Sequence, residues 1–164
     1  MCGSLQLQFY AQEEIEQILR RSSTLLQMPI DENALHLISS RSRYTPRIAN
    51  RILKRVRDFA TIEGSSRITK EIAEKAFAFL EIDELGLEPS DMRIIETIIK
   101  KFAGGPVGIQ GLAAALSEEE DTILDLYEPY LLQLGLLERT PRGRIATPLA
   151  YRHLQIPLSQ PELL

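Results

Sequence analysis

Apolar residues recur three and four positions apart over most of this chain, the period of helices with one buried face. Ile15, Ile18 and Leu19 mark a first helix over residues 11–22, with Glu13, Glu14 and Glu16 early and Arg20 and Arg21 late, as the helix dipole favours. Met28-Pro29-Ile30 breaks it. Ala34, Leu35, Leu37 and Ile38 mark a second helix behind an Asp31 N-cap. For a third, Thr45 is placed to cap through its side-chain oxygen and Pro46 to take the first helical position, where its missing N–H costs nothing. Ile48, Ala49, Ile52, Leu53, Val56, Phe59 and Ala60 then share one side. Gly64-Ser65-Ser66 ends that helix, and Thr69 caps a fourth built on Ile72, Ala73, Ala76, Phe77 and Leu80. Ahead of them all, residues 5–10 alternate apolar and polar, the period of a short strand or extended segment.

Residues 81–88 are acidic, with Gly86 inside and Pro89 after them, which predicts a domain boundary. The expected organisation is a helical domain at 1–80, a linker at 81–89, a second domain at 90–154 and a tail at 155–164. In the second domain a helix beginning at Ser90 uses Met92, Ile94, Ile95, Ile98 and Ile99, and Gly104-Gly105-Pro106-Val107-Gly108 must turn. A short apolar helix follows over 109–116. Ser117-Glu118-Glu119-Glu120 reads as a capping box opening a longer helix toward Leu134, which Pro129 should kink near Asp125. Two short strands flank Arg139-Thr140-Pro141-Arg142-Gly143, and a final helical turn or two starts at Pro148. Three helices followed by a hairpin with a basic tip is the order of a winged helix, a fold that binds DNA or protein.

With 164 residues the chain suffices for one ordinary domain or two small ones. Its 44% hydrophobic and 26% charged residues are those of a soluble globular protein, and no apolar run approaches the ~20 residues needed to span a bilayer. No membrane partner is expected. No cationic then apolar leader is legible at the start, so a cytoplasmic location is expected. Cys2 is the single cysteine, which excludes an intrachain disulfide and a cysteine-based metal cluster. His36 and His153 lack metal-ligand spacing and receive no catalytic role.

The densest chemistry lies between Arg41 and Arg57, where seven basic residues occur with no acidic one in a chain of net charge −4. Guanidinium groups make forked hydrogen bonds to phosphate oxygens, so such a run suits a phosphate-bearing partner. For most of these residues a solvated basic face is the simpler reading. Arg47 differs because it falls in the first helical turn, beside the preceding loop. A second basic set, Arg139, Arg142, Arg144 and Arg152, occupies a segment without acidic residues from 139 to 160. Glu118, Glu119, Glu120, Asp121 and Asp125 crowd the start of the helix that would otherwise read a groove, and they would repel phosphates. Arg139 and Arg144, on the wing, are therefore the candidate DNA contacts.

Several motifs in order, Thr-Pro-Arg-Ile-Ala-Asn-Arg at 45–51, Gly-Gly-Pro-Val-Gly at 104–108, Glu-Pro-Tyr-Leu at 128–131 and Arg-Thr-Pro-Arg-Gly-Arg-Ile-Ala-Thr-Pro at 139–148, resemble the RuvB family. These are AAA+ motors that drive branch migration of Holliday junctions. The resemblance covers nearly the whole chain and implies a mainly α fold, an AAA+ small helical lid followed by a winged helix with a short β-hairpin wing. It implies ATP, held with magnesium mainly by an N-terminal ATPase domain that these residues do not include. It also implies a hexameric ring on duplex DNA, working with RuvA and RuvC. By this likeness Arg47 matches the sensor 2 arginine that reaches the nucleotide phosphates, and Tyr10 matches a tyrosine near the adenosine. Arg139 and Arg144 match the DNA-contacting arginines of the winged helix.

Tyr44 stands where the family usually has glycine, and Glu120 where many members have arginine. No Gly-x-x-x-x-Gly-Lys-Ser/Thr phosphate loop, no strand ending in a magnesium-binding aspartate and no arginine finger is legible, so the chain alone should not hydrolyse ATP. Two other functions fit the same elements: a free-standing winged-helix regulator whose helical half dimerises, and an interaction module of another AAA+ loader.

Overall fold

The computed structural model describes residues 10–158, and its contacts divide the chain between Glu88 and Pro89 into two units. Both are helical except for one two-stranded antiparallel sheet among the described residues. The expected extended segment at 5–10 lies outside the described residues save for Tyr10, which is in no regular element.

The first unit packs α1 (Gln12–Leu25), α2 (Glu32–Ser40), α3 (Pro46–Ile62) and α4 (Lys70–Leu80) around Ile15, Leu35, Ile38, Ile52, Leu53 and Phe77. These side chains sit at the helical spacing seen in the sequence, so burying them on one core fixes all four helices at once. α1 runs past its expected end, because Ser23 and Thr24 turn their hydroxyls back onto the Arg20 carbonyl and stay helical. A parallel bridge joins Ile30 to Ile68, with Asp31 N–H donating to the Ile68 carbonyl at 2.9 Å and Ile68 N–H to the Pro29 carbonyl at 2.8 Å. It ties together the loops that launch α2 and α4.

Thr69 caps α4 as expected, its hydroxyl accepting from Ile72 N–H at 3.2 Å. Asp31 and Thr45 occupy N-cap positions without capping through their side chains. The Asp31 carboxylate takes the Arg67 guanidinium instead, and buried Thr45 donates its hydroxyl to the Ser42 carbonyl at 3.4 Å. In both places a tertiary or loop partner outcompetes the local cap.

The second unit holds α5 (Pro89–Lys101), α6 (Ile109–Leu116), α7 (Glu120–Thr122), a π turn (Ile123–Tyr127), α8 (Glu128–Gln133), β1 (Leu137–Thr140), β2 (Gly143–Ala146) and α9 (Pro148–His153). Its core includes Ile95, Ile98, Leu112, Ile123, Leu131 and Leu136. The expected capping box at Ser117 does not form. Ser117 adopts φ 55° and closes α6, its N–H reaching the Ala114 carbonyl and that of Glu118 the Ala113 carbonyl, so Glu119 becomes the N-cap of α7. The predicted kink appears as the π turn: Pro129 has no N–H for the Asp125 carbonyl, and the helix widens over that turn before resuming as α8.

The hairpin register pairs Leu137 with Ala146, Glu138 with Ile145, Arg139 with Arg144 and Thr140 with Gly143. Val107 adds a third edge, exchanging backbone hydrogen bonds with Arg144 at 3.0 and 2.8 Å. Gly143 permits this approach: at φ +135° a Cβ there would lie 2.4 Å from the Val107 carbonyl oxygen. The Gly-Gly-Pro-Val-Gly turn is thus the bed of the wing.

Candidate functional site

Two consecutive residues in the left-handed conformation, Arg43 and Tyr44 at φ 54°, reverse the chain between α2 and α3. That conformation costs an L-residue roughly 1–2 kcal/mol. What holds it is the basic run itself. Arg43 is 5% exposed and donates its Nε–H to the Gly86 carbonyl at 2.9 Å. Arg41 lays its guanidinium over the Phe77 ring, 4.5 Å from the centroid, and donates to the Ile82 carbonyl at 3.1 Å. Arg51 pairs with Glu88, Arg55 approaches the same carboxylate at 3.8 Å, and Arg57 pairs with Asp58. Arg41, Arg43, Arg51 and Arg55, which the sequence alone leaves largely to solvent, therefore clasp residues 82–88 onto the α2–α3 loop and α3.

Arg47 and Lys54 are the members of this run for which the described residues provide no hydrogen bond or ion pair. Arg47 is exposed in the first turn of α3. Tyr10 is brought to the same end of the unit, its N–H donating to the Tyr44 carbonyl at 2.9 Å. Tyr10 also borders a shallow groove of about 320 Å³ with Glu14, Gln17, Ile18 and Arg21. Arg47 does not line that groove. The backbone bond to Tyr44 thus brings Tyr10 to the loop that precedes Arg47, while the groove beside Tyr10 carries a different exposed guanidinium, that of Arg21.

In the second unit Arg139 and Arg144 are direct cross-strand partners on one face of the hairpin. Like charges so placed repel. Between them lies Glu128, 1% exposed, which gives one carboxylate oxygen to the Arg139 Nε–H and the other to the Arg144 Nε–H, the latter at 3.0 Å. The Arg144 side chain is 14% exposed and that of Arg139 55%. Arg142 stands exposed in the two-residue tip, its N–H bonded to the Thr140 hydroxyl at 3.2 Å. The sequence places both arginines on the wing but does not reveal the carboxylate that joins them. The available signal was a lone glutamate inside the apolar run Leu126-Tyr127-Glu128-Pro129-Tyr130-Leu131, since a buried carboxylate demands cationic partners.

Glu118, Glu119, Glu120, Asp121 and Asp125 are all exposed around α7 and the π turn. Among the described residues no group of three or more His, Cys, Asp or Glu side chains is arranged to hold a metal ion, and no helix is long and apolar enough to cross a membrane.

Comparison with known proteins agrees with this architecture in both halves. Residues 10–83 match the RuvB AAA lid domain and residues 84–155 the RuvB C-terminal winged helix domain. The Holliday junction branch migration complex subunit RuvB of Dehalococcoides mccartyi (strain CBDB1) is 59% identical over 156 residues, covering 94% of this chain and 45% of that protein. The Thermotoga maritima RuvB Holliday junction branch migration motor superposes with a TM-score of 0.89 at 47% identity, over 94% of this chain and 52% of that one. A point mutant of Thermotoga maritima RuvB gives the same TM-score, identity and coverage. The chain spans about half the length of these relatives, and both of its units match the family in order: it belongs to the RuvB family.

Proposed function

We propose that this chain supplies the nucleotide-sensing lid and the DNA-gripping winged helix of an ATP-dependent motor that migrates Holliday junctions in recombination and repair. The observation that carries the first half is the fate of the basic run. Where its other arginines are spent on the fold, Arg47 is turned outward beside the loop that binds Tyr10. Arg47 would hold nucleotide phosphate and Tyr10 would lie near the adenosine. Bound ATP would supply the phosphoryl group whose loss drives the cycle, and the magnesium and most phosphate contacts would come from a large ATPase domain. Alone, these residues would not hydrolyse it.

The clasp on residues 82–88 gives sensing a mechanical route. Arg51 lies one helical turn beyond Arg47 and holds Glu88, the residue before α5. A shift of α3 on loss of phosphate would pull this connector and so the domain that follows it. The connector thus marks the domain boundary in our reading.

On the DNA side, the acidic start of α7 disfavours a groove reader, whereas the wing presents Arg139 and Arg142 to solvent. Arg139, with Arg144 behind it, would meet backbone phosphates without reading sequence. The whole protein would act as a hexameric ring in the cytoplasm with RuvA and RuvC.

Titration of duplex DNA across a salt series tests the wing. Arg139→Ala is expected to weaken binding uniformly over sequences and to lower the salt slope by about 1. Unchanged affinity and slope would remove the wing from the interface. Sequence-selective binding to a palindromic site would favour a winged-helix regulator instead. For the lid, mixing this chain with a RuvB-family ATPase domain should raise ATP turnover, and Arg47→Ala should abolish the gain.

A further inference from the structure

We infer that Glu128 is a positioning residue for the DNA contact, holding Arg139 in a binding-ready orientation by its Nε–H while leaving its terminal NH₂ groups to a phosphate. The inference rests on the wing reading above. Three observations carry it.

First, the hairpin register places Arg139 opposite Arg144, so a cationic pair is built into the wing and needs an anion to stand. Second, Glu128 answers both with separate oxygens and is itself 1% exposed, so the carboxylate is shielded from solvent and from an incoming phosphate. Third, the exposures differ. The Arg144 side chain is 14% exposed and serves as the inner member, whereas that of Arg139 is 55% exposed and reaches solvent. A guanidinium bound through Nε still has two NH₂ groups, and its plane is fixed by the carboxylate. Ordering it before binding removes a cost otherwise met when phosphate docks. The site for this glutamate is made by the π turn and Pro129, which together set where α8 begins.

The proposal opposes simple electrostatics. Removing a negative charge beside a DNA-binding surface should tighten binding. The control is Glu138, an exposed acid on β1 next to Arg139, whose removal changes charge by the same amount. Duplex DNA is titrated into the 164-residue chain carrying Glu128→Gln or Glu138→Gln, with the thermal midpoint of each recorded.

Glu128→Gln is expected to bind roughly three- to tenfold more weakly than Glu138→Gln. That difference should vanish when both are placed on an Arg139→Ala background. Equal affinities for the two variants, or a gap that persists without Arg139, overturn the proposal. If Arg139→Ala weakens binding while Glu128→Gln matches Glu138→Gln, the wing reading stands and the positioning role falls. If Arg139→Ala has no effect on binding, the wing reading itself falls. Should Glu128→Gln not fold, nitrogen-15 NMR of the unaltered chain decides. The Arg139 Nε–H should be protected from exchange in the free protein and remain so with duplex bound, and its loss on DNA addition overturns the role.

Discussion

The backbone N–H of Tyr10 donates to the carbonyl of Tyr44 at 2.9 Å, tying the start of the lid to the loop just ahead of Arg47. Tyr44 is also the second of two left-handed residues, and its position favours glycine. The loop that aims Arg47 is therefore held from outside, by Tyr10 and by the clasp of Arg41 and Arg43, against its own conformational preference.

Tyr44→Gly and Tyr44→Ala separate this strain from side-chain packing, because both delete the same ring. At an ordinary position alanine would be the more stable of the two. Here Tyr44→Gly should be more stable than Tyr44→Ala by about 1 kcal/mol in denaturant unfolding. The opposite order would show that the left-handed conformation is absent in solution.

Gly86 is the reverse case, where a side chain has no room. It has φ +77°, and a Cβ would lie 2.4 Å from the Arg41 carbonyl oxygen, an atom of the backbone. Gly86→Ala should destabilise the first unit by about 2–4 kcal/mol, combining backbone strain with overpacking. Urea unfolding followed by circular dichroism measures it.

Arg47→Ala should leave stability within about 0.5 kcal/mol of the parent, since the side chain is exposed and the described residues give it no partner. A larger loss in the same unfolding assay would mean that Arg47 is a structural residue.

The wing predicts a non-additive series. Replacing Arg139 and Arg144 together by alanine strands the Glu128 carboxylate in the interior and should cost about 3–5 kcal/mol. Adding Glu128→Gln to that pair removes the buried charge and should recover part of the loss. Thermal unfolding of the two variants is the test, and equal midpoints would contradict the ion-pair geometry.

Glu32 gives a pH signature. The hydrogen bond from Arg20 is the largest influence on its carboxyl and holds it below the ordinary glutamate value. A depressed folded value means that this contribution is present above the unfolded pKa and is lost as pH falls through the folded one. Both side chains are exposed, so salt should weaken the effect. Carbon-13 NMR titration should show the Glu32 carboxyl moving up toward its ordinary value in Arg20→Gln.

Periodicity by itself determined the helices of the first unit, because burying Ile15 with Leu19, Leu35 with Ile38, Ile52 with Val56 and Ala73 with Phe77, each pair on one face of its own helix, is a local constraint written at helical spacing. Pro129 announced a disturbance near Asp125, and the motifs around Arg47 and Arg139 announced the family. Only the tertiary structure decided the employment of charge. Which arginines of the 41–57 run are consumed depends on a connector well beyond α3 folding back to offer the Ile82 and Gly86 carbonyls and the Glu88 carboxylate. Likewise the partnership of Glu128 with Arg139 and Arg144 needs a strand register and a helix start to coincide in space. A hydrophobic pattern repeats with its own element and can be read along the chain, whereas a charge is defined by whatever the fold sets beside it.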